Sequence, residues 1–578
     1  MSKAEATVQE LVDMIERGQL RLPEMQRRYV WRAPRVRDLL DSLYRGYPSG
    51  AILIWDTDEK VPLQDFGVSQ GENKFTQTQL LLDGQQRLTS LSAVIRGEPV
   101  KVRGRSRPIE ILFNLEHPDD IRFANEVNED AEDEEEEEDQ LEDDNDDDAN
   151  DDGDAADSSV DELQQRFNEM TFVVATRKLA KLPHWVSVSE VLKSDSDRDF
   201  LKRAGIMALD DPRAEKYQKR LARLRAIKKY VYRMDILERS LTYVEVTEIF
   251  VRVNSLGTKL RSSDLALAQI TAKWRGSLEQ FIQYQDACSK IGYEIDLGIH
   301  LRALMAIATG QSKFQTVGSI STSELQAAWE KTRRAMDFAI SFLKQNCGIE
   351  SPALLSSPFI VIALAHYGFT HDYAIPEEER PLLRKWALLA NAKGRFTRGS
   401  SETLLDQDLT GIRKGETAQT LIDRLTLQVG RLEIVPDELK ARNQLSAIFK
   451  TMYLVFKARG AQDWETGLEI SLGHRGHQDK LQFHHIFPKA VLRERYSKSE
   501  INDIANLAFI GGRTNRTISA KQPEKYIPDF VASKGAKNFK DQAIPTDPAL
   551  LTVDAYHEFL RQRRVEIAQA LNAYLGAS

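Results

Sequence analysis

Apolar residues in the first part of the chain alternate between helical spacing and short unbroken runs. Val8 to Arg17 has the spacing of an amphipathic helix, closed by Gly18. Pro34 stands where a first-turn proline belongs. Val36, Leu39, Leu40 and Leu43 follow at helical spacing, and Gly46 is a stop. Ala51 to Trp55 (AILIW) predicts a short buried strand. Leu80 to Leu82 predicts another, running straight into Asp83-Gly84-Gln85-Gln86-Arg87. Leu88, Leu91, Val94 and Ile95 then share one face of a helix over Arg87 to Ile95, ended by Gly97. Ile109 to Leu115 and Phe172 to Ala175 predict further strands. Leu241 to Val246 predicts a strand, followed by a helical Thr247–Val253 and a turn at Asn254-Ser255-Leu256-Gly257. Ser262 or Ser263 is expected to cap the next helix, with Asp264 in its first turn.

From residue 272 to residue 460 the pattern is mostly helical, and from 461 it is mixed again. The expected organisation is therefore α+β and multidomain: an N-terminal domain over 1–271, a helical connecting domain over 272–460 and a C-terminal domain over 461–578. A length of 578 residues fits roughly three or four domains.

Charge changes this picture in one place. Glu129 to Asp157 holds 20 Asp and Glu and no Lys or Arg, and removing it turns the formal net charge from -9 to +11. Such a block repels itself and buries no apolar surface, so a disordered acidic insert over 129–157 is expected. The remainder is basic in clusters. Arg213 to Arg239 has ten Lys and Arg against three acids, and Ser471 to Lys540 has thirteen against six. Clustered positive charge suits a polyanion, although a solvated helix face has the same composition.

Cysteine and hydropathy set further limits. With only Cys288 and Cys347, four-cysteine zinc sites and a disulfide framework are ruled out, and a reducing compartment is expected. The opening residues lack the apolar core of a signal peptide. The longest apolar run, Phe359 to His366, falls far short of the roughly 20 residues that span a bilayer. A cytoplasmic protein without a membrane partner is the expectation.

The first chemical constellation is Leu80-Leu81-Leu82-Asp83-Gly84-Gln85-Gln86-Arg87. It places a carboxylate at a strand end, a glycine at a tight turn and a helix start whose free N–H groups favour an anion. Asp83 can hold magnesium while phosphates supply other ligands, Arg87 can clamp a phosphate, and a glutamine can orient water. Asp-Gly is also a common turn. Its company raises the reading. Pro23, Gln26, Arg27, Tyr29 and Trp31 form P-x-x-Q-R-x-Y-x-W, and Phe250, Asn254 and Gly257 form F-x-x-x-N-x-x-G. Together these three motifs resemble the ParB/sulfiredoxin-like nucleotide-hydrolysing domain of GmrSD-type restriction enzymes. The resemblance implies that a nucleoside triphosphate and Mg2+ bind around Gln26, Arg27, Asp83, Gly84, Gln85, Gln86, Arg87 and Asn254. No Walker-type sequence is present. Tyr29 and Trp31 read as core aromatics, or alternatively as the lining of a base or sugar pocket.

The second constellation is Phe483-His484-His485-Ile486-Phe487-Pro488, followed by Asn506 and by Arg513-Thr514-Asn515-Arg516. Phosphodiester hydrolysis needs a base for water and a cation for the phosphate charge; imidazole and amide oxygen supply such groups. These residues resemble the HNH (ββα-metal) nuclease motif that forms the C-terminal half of the same enzymes. The resemblance implies His484 and Asn515 as ligands of Mg2+ or Mn2+, His485 as general base and Asn506 as the residue holding the base loop. Arg516 would contact the scissile phosphate. The first ligand is His rather than the commoner Asp, which leaves the metal open. His474 and His477, upstream at i, i+3, read as loop histidines or as extra ligands.

Together the two resemblances imply an NTP-regulated, modification-dependent DNA endonuclease of anti-phage defence, related to GmrSD-type and SspE-like enzymes. Its partners would be modified or foreign DNA and a nucleoside triphosphate, with homo-oligomerisation left open. The alternatives are a nucleotide-dependent DNA-binding regulator without cleavage, and an HNH nuclease acting on RNA or repair intermediates.

Overall fold

The unbroken apolar runs become strands because both faces of one sheet are covered. In a computed structural model of the chain, six strands form a mixed sheet: β1 (Ser2–Thr7), β2 (Leu20–Pro23), β3 (Ile52–Thr57), β4 (Leu63–Gln64), β5 (Thr78–Asp83) and β9 (Val231–Leu237), in the order β1-β9-β3-β5-β2-β4. The β9–β3 and β5–β2 pairs are parallel and the other three antiparallel. Ile52, Ile54 and Leu81 pack with helices α1 (Val8–Glu16), α2 (Ala33–Arg45) and α3 (Gln85–Arg96). Trp55, Leu80, Leu82 and Leu237 pack on the opposite side with Tyr243, Val246, Phe250 and Ala268. Alternate residues thus enter two cores, and a strand buried twice needs no polar face.

The structure describes residues 2–577 except 27–28, 30, 65, 73–77, 99–108, 119–166, 168–169, 177–178, 209, 257–260 and 475, and except the side chains of 254–256. The acidic stretch Glu129–Asp157, Arg27 and Gly257 lie outside the described residues, as does the Asn254 side chain. Contacts divide the chain into Met1–Leu278 and Glu279–Ser578.

In the first unit, β6 (Ile111–Asn114) lies between β7 (Phe172–Val174) and β8 (Trp185–Ser187) in a separate antiparallel sheet. Two expectations fail locally. Leu241–Val246 is not a strand: a helix begins at Tyr243 and runs through Leu256, so Asn254 is helical rather than in a turn. The sequence Thr242-x-x-Glu245 explains it. Glu245 accepts the Thr242 N–H and hydroxyl, each at 2.8 Å, which is a capping box. Likewise neither serine caps the helix Ser262–Lys273; its N-cap is Arg261, whose N–H reaches Asp264 Oδ2 at 3.3 Å.

The basic run from Arg213 is partly consumed internally. Arg220 donates to the Leu115 carbonyl (2.6 Å) and Arg223 to the Tyr44 carbonyl (3.0 Å) while lying over the Tyr44 ring; Arg225 pairs with Asp197 (2.6 Å). These cations tie Tyr44, Leu115 and Asp197 to the helix Pro212–Arg225 and so are not spent on a free basic face.

In the second unit, residues 279–458 contain helices and no strand among the described residues. Phe359–Thr370 is buried from Ile360 to Gly368, as its all-round apolar sequence requires. A hairpin of β10 (Leu481–His485) and β11 (Leu507–Gly511) follows, then helix Gly512–Ile518 and the C-terminal helix Tyr556–Leu575. Among the described residues no helix is long and apolar enough to cross a membrane.

Candidate functional site

At the end of β5, Gly84 adopts φ +99°, and a Cβ there would stand 2.5 Å from Ile52 Cδ1. Glycine therefore lets the chain turn against β3 and enter α3, whose start carries no side-chain cap. Asp83 is half-exposed, with Oδ2 3.2 Å from Arg87 Nη2. Arg87 is spent on architecture as well. It donates to the Ser49 carbonyl and, at 2.8 Å, to the Ala51 carbonyl, and it lies over the Tyr232 ring. The hydroxyls of Ser49 and Tyr232 meet at 2.7 Å. Arg87 thus fastens the loop between α2 and β3 beside the Asp83 strand end.

Gln26 is buried and donates to the Leu81 carbonyl, while its own carbonyl accepts from Gln64 at 2.5 Å. Gln86 Oε1 accepts the Trp31 N–H (3.2 Å), and its Nε2 reaches Gln85 Oε1 (3.5 Å). Tyr29 is buried with its hydroxyl 2.8 Å from that of Ser90, and Trp31 packs against the same core. The first two motifs therefore meet around the β5–α3 junction.

One residue inside the first motif was missed. Glu24 is buried and accepts the Gly276 N–H on both oxygens, at 2.9 and 3.1 Å. Burial raises its carboxyl to about 7, against the Gly276 bond and nearby Arg275, which lower it. Its place between Pro23 and Gln26 was the available signal.

The second constellation gathers on the β10–β11 hairpin and the helix after it. His484 pairs with Ala508 and His485 with Leu507, at the end of the ladder where the connecting segment 486–506 joins the strands. Gly512 starts the helix, and its Cα passes so close to the His477 carbonyl that a Cβ would clash. Asn515 then brings Oδ1 to 2.8 Å from His484 Nδ1. His484 Nδ1–H donates to that Asn515 oxygen, and Tyr526 donates its hydroxyl to the Ile486 carbonyl (3.0 Å) with its own oxygen 3.4 Å from His484 Nε2. A cation held between Nδ1 and the Asn515 oxygen would take the place of that proton.

That pair fits a hard divalent cation. Donors about 2.1 Å from such an ion at right angles stand about 3 Å apart, close to the separation seen. Burial pushes His484 down to about 4, against the Asn515 bond, so the imidazole is neutral at pH 7. Among the described residues no group of three or more His, Cys, Asp or Glu is placed to hold a metal, so water and phosphate would complete the shell. His474 and His477 precede β10, and Arg516 Nη1 donates to the His477 carbonyl at 3.2 Å.

His485 Nε2 lies 3.1 Å from Asn502 Oδ1. Burial first, then Lys489 and His484, lower its imidazole to about 4, with Asn502 opposing. Asn506 is fully buried and acts as a clamp. Its Oδ1 takes the Phe487 N–H (2.9 Å), and its Nδ2 donates to the carbonyls of Phe487 (3.1 Å) and Ile501 (3.0 Å). Sequence reasoning missed Asn502 and Tyr526, which no motif marks. It also missed Asp463, whose buried carboxylate takes the Thr514 hydroxyl (2.6 Å) and the Gly511 N–H (2.7 Å) and so braces the Asn515 helix.

Comparisons with known proteins bear on the first unit most directly. Residues 8–271 match the family model of the GmrSD restriction endonuclease, N-terminal domain. The match supports a restriction-type nuclease or defence role. The chain is also similar to an uncharacterized protein of Methanocaldococcus jannaschii, 23% identical over 575 residues that cover 92% of this chain and 89% of the relative.

Proposed function

We propose that the protein is a DNA endonuclease of anti-phage defence, hydrolysing phosphodiester bonds at an HNH-type site under control of a ParB-like nucleotide-hydrolysing domain. The observation that carries this reading is the two-histidine hairpin: neutral His484 faces Asn515, and neutral His485 is aimed by Asn502 on a loop clamped by Asn506. The GmrSD family of residues 8–271 supports DNA as the substrate and a restriction role.

His485 Nδ1 takes a proton from water as the water oxygen bonds to phosphorus. The bond from phosphorus to the leaving sugar oxygen breaks, and that oxygen collects a proton from solvent. His484 and Asn515 would hold Mg2+ or Mn2+, which when bound offsets charge on the phosphate. Arg516, in the same helix, adds positive charge for the DNA backbone. In the first unit, Asp83 would hold Mg2+ of a nucleoside triphosphate whose phosphates take the uncapped start of α3. Gln26, Gln85 and Gln86 would flank that ligand, and Arg87 keeps the neighbouring loop in place. A nuclease dangerous to its own host needs a licence, and nucleotide state together with a DNA modification would supply it.

The test uses modified and unmodified plasmid or phage DNA, Mg2+ or Mn2+ and each NTP in turn. His485→Ala abolishes cleavage and leaves NTP hydrolysis intact; loss of both activities, or of neither, removes the two-site reading. A second reading, DNA binding without cleavage, draws on the small protein ligand set of two side chains. It predicts salt-sensitive binding with no nicks under any metal.

A further inference from the structure

The partner of His485 lies outside every motif in the chain. We propose that Asn502 is a positioning residue for hydrolysis: its side-chain oxygen receives the Nε2 proton of His485 and so makes Nδ1 the proton-accepting atom. This rests on the nuclease reading above.

A neutral imidazole has one N–H and one lone pair, and the hydrogen bond at one nitrogen decides which the other carries. Asn502 Oδ1 stands 3.1 Å from Nε2, so the proton belongs on Nε2 and the lone pair on Nδ1. In the other tautomer a hydrogen would occupy the face where water must lose one.

The pairing is built from both sides. On the histidine side, the Ile486 N–H donates to the Asn506 carbonyl at 2.8 Å and the Phe487 N–H to Asn506 Oδ1 at 2.9 Å. On the asparagine side, the Ile501 carbonyl, one residue before Asn502, takes Asn506 Nδ2 at 3.0 Å. One buried amide therefore holds the backbone after His485 and the backbone before Asn502. The flanks are fixed too. Tyr556 donates to the Glu500 carbonyl (2.7 Å), and Asp503 pairs with Arg564 (2.6 Å) while accepting the Ala441 N–H (2.9 Å). Asn502 ends the short helix Lys498–Ile501 through its backbone N–H, so its side chain is not needed for that cap. A backbone anchored at successive residues, carrying an amide pointed at one ring nitrogen, is the geometry of a preorganised support.

The experiment compares the full-length wild type with Asn502→Leu and Asn502→Asp on plasmid or phage DNA that the wild type cleaves, with Mn2+. Leucine keeps the volume and removes the acceptor; aspartate restores an acceptor. The expected result is a kcat about 10- to 100-fold lower for N502L with KM unchanged, and recovery to within about threefold for N502D. An N502L enzyme as fast as wild type, an N502D enzyme as slow as N502L, or a loss confined to KM overturns the proposal. Imidazole-15N spectra of the wild type, with His485 assigned by His485→Gln, give a readout independent of variant folding. An Nε2–H signature supports the proposal, and an Nδ1–H or averaged one overturns it. Absence of any wild-type cleavage removes the nuclease reading and this inference with it; cleavage that ignores residue 502 removes this inference alone.

Discussion

The β5–α3 junction and the β10–β11 hairpin present the same local grammar, a polar cluster where a strand ends near a helix, yet they use it differently. At the junction the large polar groups are committed to main-chain carbonyls: Gln26 to Leu81, and Arg87 to Ser49 and Ala51. Asp83 is left half-exposed. At the hairpin the fixed groups are neutral amides, and what they fix is a pair of imidazoles that burial keeps deprotonated. The first arrangement holds a loop around an open carboxylate, as suits a soluble anionic ligand and its cation. The second holds lone pairs in place, as suits ligation and proton transfer. Motif letters alone do not separate these roles; the hydrogen-bond partners do.

The largest effect expected from breaking this contrast is at Asn506. Asn506→Ala leaves the Phe487 N–H and the carbonyls of Phe487 and Ile501 without their buried partner. At about 1–3 kcal/mol for each unsatisfied group, with partial relaxation, the second unit should lose about 3–5 kcal/mol. Denaturant unfolding followed by probes in each unit checks this, and an equal loss in both units would contradict it. At the junction, Arg87→Met should cost less, about 2–3 kcal/mol, because the loop carbonyls of Ser49 and Ala51 can turn to water. NTP hydrolysis should fall with it while the hairpin's melting is unchanged.

How much of this was legible follows from which interactions are local. The strand–turn–helix at Asp83, the first-turn Pro34 and the stop at Gly46 depend on near neighbours and read correctly. The β9 strand did not, because Tyr232 and Met234 alternate with exposed Val231 and Arg233 inside what looked like a basic cluster. The misread Leu241–Val246 shows β-branched composition losing to a capping box two positions in. At the hairpin, His484, His485, Asn506 and Asn515 come together in space. Asn502, Tyr526 and Asp463 were invisible because each reaches its partner across 17 to 51 positions by a side chain with no spacing rule.

The two regions should also answer pH with opposite signs. An unfolded imidazole takes up a proton near 6.5, whereas buried His484 does so only near 4. Between those values the unfolded state binds more protons. The His484 contribution is therefore present above 6.5 and is lost as pH falls toward 4, by about 3 kcal/mol. Glu24 runs the other way, from an ordinary 4.5 to about 7 in the fold. Its contribution is present below 4.5 and is lost as pH rises through 7. Glu24→Gln should accordingly flatten the alkaline limb of the first unit's stability and leave the acid limb of the second untouched. An alkaline limb that persists in the variant would assign it elsewhere.

The smallest effect separates charge from chemistry within the hairpin. Arg516 shares a seven-residue helix with Asn515, but it is exposed and donates to the His477 carbonyl at 3.2 Å. Arg516→Ala therefore removes a cation without opening the site, and stability should change by less than about 0.5 kcal/mol. If Arg516 meets a DNA phosphate, affinity should fall alike for all sequences, and the slope of log affinity against log salt should shrink by about one ion. Single-turnover cleavage at saturating DNA should be nearly unchanged, in contrast to any change at His485. A large fall in that rate with an unaltered salt slope would instead move Arg516 to the reacting phosphate, and the division between binding charge and aimed lone pairs would have to be redrawn there.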